Sequence, residues 1–220
     1  MKKLLLDAFC GAGGATKGYQ RAGFYVVGVD ISPQPNYCGD EFHQDDAIDF
    51  IKNNGHEFDT IHTSPPCQSF TAYRRKGHGV GDGYPNLIPR TRELLQTIGL
   101  PYVIENVEQA RHHLINPTKL CGSQFGLDVQ RHRMFESNVP LRSQGCDHSQ
   151  WTPRFPPATN RTNLRKTVEV GVYRIPLPVQ KRAMGIDWMN LSELSQAIPP
   201  AYIEYIGKFL MAHLLWGERG

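Results

Sequence analysis

Cys67 stands inside the run Asp59 to Tyr73, DTIHTSPPCQSFTAY. Thr60, Ile61 and His62 read as a short buried strand. Pro65 and Pro66 end it, because proline has no N–H to donate and a fixed φ. Cys67 is therefore expected on a loop at the carboxyl end of a strand, where open α/β sheets place their ligands. A free cysteine is most often inert packing. It becomes a nucleophile when nearby positive charge lowers its pKa from about 8.5. A second group is Glu105, at the end of the apolar run Pro101 to Val107. A carboxyl buried there is costly to ionise, so its pKa should rise, which suits proton donation. The third is the pair Arg131 and Arg133 in QRHR, set on one face of a strand by the period of two. The alternative for these arginines is pairing with a core carboxylate. A thiol, a protonated carboxyl and paired cations are the parts of nucleophilic catalysis with charge stabilisation.

The elements that must position them alternate strand and helix, the pattern of an α/β sheet. Residues 3–9 read as a parallel strand, followed by the turn Cys10-Gly11-Ala12-Gly13-Gly14 and a helix. The turn is GxGG rather than GxGxxG, and no Lys-Ser/Thr follows, which disfavours dinucleotide and NTP binding and leaves a nucleoside-type cofactor. Residues 25–30 form a second strand ending in Asp30, placed for ribose hydroxyls. Of Asp45 and Asp46, one is expected to cap the helix over 47–53 and one to reach an exocyclic amine. Residues 69–90, with Arg74, Arg75 and Lys76, form a long basic, Gly-rich loop, read as a lid over an anionic substrate. A helix over 86–98 precedes the Glu105 strand, and residues 117–136 read as two antiparallel strands. Residues 137–178 are a loop-rich insertion with one short strand at Thr167–Arg174. Helices follow at Val179–Ile186, Leu191–Gln196 and Ala201–Trp216, the last with Ile203, Ile206, Leu210 and Leu214 on one face.

Length and composition agree with this. A chain of 220 residues is one domain in size, with 40% hydrophobic and 20% charged residues. No apolar run approaches the ~20 residues of a membrane span, and Asp7 interrupts the apolar start too early for a signal peptide. The five cysteines, odd in number, read as reduced thiols of a cytoplasmic protein. Cys121, Cys146, His148 and His112 do not have the spacing of a closed tetrahedral metal set, so no metal is expected. Residues 1–60 carry five Lys/Arg against nine Asp/Glu, whereas residues 137–182 carry eight against two. That polarity suggests that one end meets a polyanion.

Taken together, residues 4–136 and 179–216 resemble the DNA (cytosine-5)-methyltransferase family, with its motifs in order. DAFCGAGG resembles the cofactor turn, SPPCQSF the nucleophile motif, IENV the acid motif, QRHR the paired-arginine motif and QAIPPAYIEYIG the closing helix motif. Two positions depart from the pattern: Val129 stands where the family has Gln, and Ser195-Gln196 where it has Gly-Asn. The resemblance implies a Rossmann-like sheet with helices on both faces, over 1–136 and 179–220, and a short target-recognition region at 137–178. It implies S-adenosylmethionine as cofactor, contacted by Phe9, Gly11, Gly13, Gly14, Asp30, Ile31, Asp46, Pro66, Gln196 and Ala197. It implies Cys67 as nucleophile, Glu105 as acid, and Arg131 and Arg133 beside them. The implied substrate is double-stranded DNA with a flipped cytosine, held by Gln68, Arg74, Arg75, Lys76, Arg154, Arg161, Arg165 and Lys166. A monomer without an obligate protein partner, in a bacterial or phage-infected cell, completes the expectation. A tRNA-methylating branch of the family carries a Cys-Phe-Thr signature that does not occur here, and a silent homologue would most simply lack Cys67 or Glu105.

Overall fold

The computed structural model describes residues 2–67, 70, 85–149 and 167–217. Five strands run parallel: β1 (Leu4–Ala8), β2 (Tyr25–Asp30), β3 (Glu41–Gln44), β4 (Thr60–Thr63) and β5 (Tyr102–Val107). Two more, β6 (Thr118–Leu120) and β7 (Arg133–Ser137), complete a seven-stranded sheet of order β3-β2-β1-β4-β5-β7-β6, with β7 antiparallel to both its neighbours. This is the Rossmann-like α/β sheet expected. Chain direction across the sheet reverses between β1 and β4, the place where such sheets open a crevice for ligands.

Because both faces are covered, the strands are apolar on both sides. Leu5, Val26, Val103 and Phe135 face helices α1 (Gly14–Arg21) and α6 (Pro200–Trp216), whose Tyr19, Tyr202, Ile203, Ile206 and Leu210 fill that layer. Leu6, Val27, Ile61 and Ile104 face α2 (Ala47–Asn54) and α3 (Ile88–Ile98). Helices α1 and α6 touch closely: a Cβ on Gly18 would lie 2.5 Å from Ile203 Cβ. A third cluster, around Val129, Met184, Met189 and Leu194, joins α4 (Leu177–Met184) and α5 (Leu191–Gln196) to Ala12 of the glycine turn. No helix among the described residues is long and apolar enough to cross a membrane.

Two expectations are corrected. Thr167–Arg174 is irregular rather than a strand, because Gln180 takes over its backbone groups. Gln180 Oε1 accepts from Gly171 N at 2.7 Å, and its Nε2 donates to the carbonyls of Val172 and Ile175. The antiparallel pair over 117–136 is shorter than its sequence suggests. Cys121 ends β6 and caps a 3-10 turn at Gly122–Phe125, and β7 begins only at Arg133.

A buried ion pair crosses from α3 to β7. Arg92 donates to both oxygens of Glu136 at 2.6 Å, and Glu136 also accepts from Ile115 N at 2.8 Å. Removing Glu136 leaves the Arg92 guanidinium, which also donates to His113 O at 2.6 Å, without its counter-charge. Glu136→Leu is therefore expected to destabilise by about 3–5 kcal/mol in urea unfolding, and Arg92→Met/Glu136→Leu to recover most of that loss.

Candidate active site

The carboxyl ends of β1, β2, β4 and β5 meet at one edge of the sheet. After β1 the chain turns through Phe9 at φ +60°, Gly11 at +49° and Gly13 at +85°. A left-handed Phe is strained, and such residues gather at functional sites. A Cβ on Gly13 would lie 2.8 Å from Cys38 Sγ, and one on Gly14 2.6 Å from the Ile198 carbonyl oxygen. By contrast a Cβ on Gly11 would meet nothing within 4 Å, so the turn is packed beneath and open at Gly11.

Asp30 sits beside that opening. Its Oδ2 accepts from Gly11 N at 3.0 Å and its Oδ1 from Ser32 N at 2.9 Å, while neighbouring Ile31 is 68% exposed. Of the two acids before α2, Asp46 is the cap, accepting from Ile48 N and Asp49 N through Oδ1 alone. Asp45 Oδ1 holds Asp46 N at 2.8 Å. Under the turn, Asp7 is fully buried and accepts from Thr16 Oγ1, and burial pushes its carboxyl up to about 7. Cys10 is buried with its thiol pushed far up, which makes it packing. The far wall is the segment after α5: Gln196 closes that helix and Ala197 follows it, buried. Trp188 Nε1 donates to Ala12 O at 2.8 Å, tying the same lobe to the glycine turn. An open glycine cradle with a strand-end carboxylate next to it suits a nucleoside cofactor.

The second half of the site is built by β4 and β5. Their register pairs Thr63 with Ile104, which sets Ser64 and then Pro65, Pro66 and Cys67 beside Glu105. Asn106 fixes the approach: buried, it donates to Pro65 O at 2.9 Å and accepts from Val107 N at 2.9 Å. Glu105 is 6% exposed. Burial raises its pKa against the opposing pull of Arg133, of the Ser64 hydroxyl bonded to it and of Arg131. Arg133 Nε lies 2.9 Å from Glu105 Oε1, yet that oxygen has no hydrogen-bond donor among the described residues. The guanidinium is paired by charge and is not aligned for a hydrogen bond.

Cys67 is half-buried, and burial together with the Glu105 carboxyl raises its thiol. Arg133 and Arg131 pull the other way and are outweighed, which reverses the expectation of a lowered pKa. Arg131 acts on Glu105 and Cys67 by charge, but its hydrogen bonds go elsewhere. Its Nε donates to Ala197 O at 2.9 Å and its Nη2 to Ser195 O at 2.5 Å, and Tyr202 donates to Arg131 O at 2.8 Å. It clamps the segment after α5, and burial followed by repulsion from Arg133 lowers it to about 9. Because β7 starts at Arg133, the period of two that would have put both arginines on one face does not extend back to residue 131.

Sequence reasoning missed His62, Ser64 and Asn106. His62 is fully buried, 2.9 Å from Tyr19 OH through Nδ1 and 3.0 Å from Ser64 Oγ through Nε2. A run of Tyr19, His62, Ser64 and Glu105 thus crosses from α1 to the acid. The available signal was the alternation of polar side chains along TIHTS opposite IEN. Gln68, Arg74, Arg75, Lys76, Arg154, Arg161, Arg165 and Lys166 lie outside the described residues.

Comparison with known proteins bears on this edge. Residues 4–119 match the family model described as C-5 cytosine-specific DNA methylase. The type II methyltransferases M.HgiGI and M.HgiDI of Herpetosiphon aurantiacus are each 32% identical over 119 residues, 48% of this chain. The match spans 91% of the first and 37% of the second. Among solved structures, a putative DNA modification methyltransferase encoded within an E. coli prophage superposes with a TM-score of 0.61 at 16% identity, over 97% of this chain and 99% of that one. DNMT2 of Spodoptera frugiperda does so with 0.62 at 14%, over 96% and 100%, so both share the fold. The family match runs through the glycine turn and the Cys67–Glu105 edge, over more than half of the sequence, and the chain belongs to the C-5 cytosine-specific DNA methylase family.

Proposed function

We propose that the protein methylates carbon 5 of a flipped-out cytosine in double-stranded DNA, using S-adenosylmethionine and a covalent adduct at Cys67. The observation that carries this reading is the pairing of β4 with β5, which sets the thiol loop beside a buried carboxyl, one of whose oxygens has no hydrogen-bond donor among the described residues. Gly11, Gly13 and Gly14 would hold the cofactor, with Asp30 at its ribose, Phe9, Ile31 and Asp46 around its adenine, and Pro66, Gln196 and Ala197 closing the pocket. When bound, the cofactor supplies an electrophilic methyl group.

This chain's residues make the ring receptive to it. The Cys67 thiolate adds to carbon 6, and the S–C bond pushes the ring electrons toward carbon 5. Glu105 gives its proton to ring nitrogen 3, where charge would otherwise accumulate. Arg133, charge-paired but not hydrogen-bonded to Glu105 Oε1 and anchored through Nη1 to His132 O, would turn its other N–H groups to the ring carbonyl oxygen. After transfer, water takes the proton from carbon 5, the S–C bond breaks, and nitrogen 3 returns its proton to Glu105. Arg131 acts at one remove, by holding the segment after α5 against the site.

Residues 137–178 make a recognition region of about forty residues, and each base pair read directly needs its own contacts in the groove, so the target is short, about 2–4 base pairs. Arg154, Arg161, Arg165 and Lys166 are assigned to base and phosphate contacts, with guanine beside the cytosine. Gln68, Arg74, Arg75 and Lys76 are assigned to the DNA around the flipped base, whose extrusion costs a few kcal/mol.

In duplexes carrying 5-fluorocytosine at the target, the wild-type protein with S-adenosylmethionine is expected to form a denaturation-resistant adduct, with peptide mapping placing it on Cys67. Cys67→Ala should give neither the adduct nor methylation by bisulfite sequencing. Failure of the wild type to form the adduct overturns the reading.

The reactive form needs a Cys67 thiolate and a protonated Glu105 together, two coupled groups whose rate profile is bell-shaped. The rate rises with pH as the thiol ionises and falls as the carboxyl loses its proton. Glu105→Gln is expected to lower kcat/KM by about 10²–10⁴-fold and to remove the alkaline fall. A full bell in that variant rules out Glu105 as the acid.

A further inference from the structure

Four ligand atoms outside the proposed reaction centre converge on one point. Those of Cys121, His132, Cys146 and His148 lie within 4.8 Å of one another. Cys121 Sγ is 3.1 Å from His148 Nε2, Cys146 Sγ is 3.6 Å from His132 Nε2, and the two imidazoles stack at 5.3 Å. Zinc bonds of about 2.3 Å to sulfur and about 2.0–2.1 Å to nitrogen imply tetrahedral edges of about 3.3–3.8 Å. The observed contacts fall near that range. His112 is exposed on the neighbouring 3-10 turn and is not part of the set.

The surroundings are those of a metal site as well. Glu108 Oε2 lies 2.9 Å from His132 Nδ1, which orients the ring with Nε2 toward the cluster, as carboxylates do behind metal-bound imidazoles. Ser123 Oγ donates to Cys121 Sγ at 3.3 Å. Gln124 caps Cys121 N and donates to Ser143 Oγ and Gly145 O, tying the Cys121 turn to the segment that carries Cys146.

We propose that Cys121, His132, Cys146 and His148 form a structural zinc site. The donor set is Cys₂His₂, the closed type that leaves no position for a substrate. Sequence spacing conceals it because the ligands come from three separate segments: the end of β6, the approach to β7 and the stretch after β7. His132 stands between Arg131 and Arg133, and His148 lies just before residues 150–166. Zinc would therefore staple the arginine pair and the start of the target-recognition region to the sheet. The proposal does not depend on the methyl-transfer reading.

The 220-residue chain, purified under reducing conditions, is expected to hold about one zinc per chain by elemental mass spectrometry. After cobalt exchange it should show the visible absorption of tetrahedral thiolate-bound cobalt. Cys121→Ser, Cys146→Ser and His148→Ala should each lose the metal, while His112→Ala keeps it. Cys146→His, which replaces one ligand by another, should keep the metal and the wild-type circular dichroism, separating ligand loss from misfolding. Glu108→Gln should weaken zinc by about 10–100-fold without changing stoichiometry. A wild-type protein with no zinc and no tetrahedral cobalt spectrum overturns the proposal. So does a Cys121–Cys146 disulfide in place of metal, or zinc that survives Cys121→Ser and is lost in His112→Ala.

Discussion

Withdrawal of water from the carboxyl edge of the sheet is the constraint on which the rest of this site depends. Burial is the largest influence on Asp7, His62, Cys67, Glu105 and Arg131, and in each it favours the uncharged form. The sheet creates this condition because both its faces are covered by helices, so a polar side chain near the strand ends starts from a dry environment. The cations that remain there, Arg131 and Arg133, are held against carbonyls and the Glu105 carboxyl. A desolvated site stabilises charge that develops within it more strongly than water-exposed groups can.

The two arginines divide the work that the sequence assigns to them jointly. Arg133, at the first position of β7, points to the same face as Phe135 and so reaches Glu105. Arg131, two residues earlier, lies outside the ladder and bonds two carbonyls after α5. The geometry follows from where β7 begins, and that in turn follows from the 3-10 turn and loop that consume residues 121–132. A lysine at 131 could not reproduce both hydrogen bonds, because it lacks the planar fork that satisfies two carbonyls at once.

What could be read in advance was local. The parallel strands, the glycine turn, the proline stop before Cys67 and the helix of Ala201–Trp216 are each written in a short window by periodicity or backbone chemistry, and the structure has them within a few residues. What could not be read was set by contacts between distant segments. Gln180 dissolves the expected strand at Thr167–Arg174 from six residues or more away. Glu136 meets Arg92 across 44 positions. Cys121 and His148 approach over 27. The state of the Cys67 thiol has a related cause: neighbouring arginines are visible in a sequence, but the burial that outweighs their pull is a property of the packed sheet.

The run from Tyr19 through His62 and Ser64 to Glu105 invites reading as a proton relay, and the state of His62 decides against that. Burial holds the imidazole down to about 3, so at neutral pH it is uncharged and cannot store a proton taken from Glu105. A neutral imidazole has one donor and one acceptor, and here each nitrogen faces a hydroxyl, Tyr19 on Nδ1 and Ser64 on Nε2. The Ser64 hydroxyl gives its one proton to the Glu105 carboxylate, so it accepts from Nε2–H while Nδ1 accepts from the Tyr19 hydroxyl, and a single tautomer satisfies the run. The run is thus suited to keeping the Ser64 hydroxyl, and through it the Glu105 carboxyl, in one orientation.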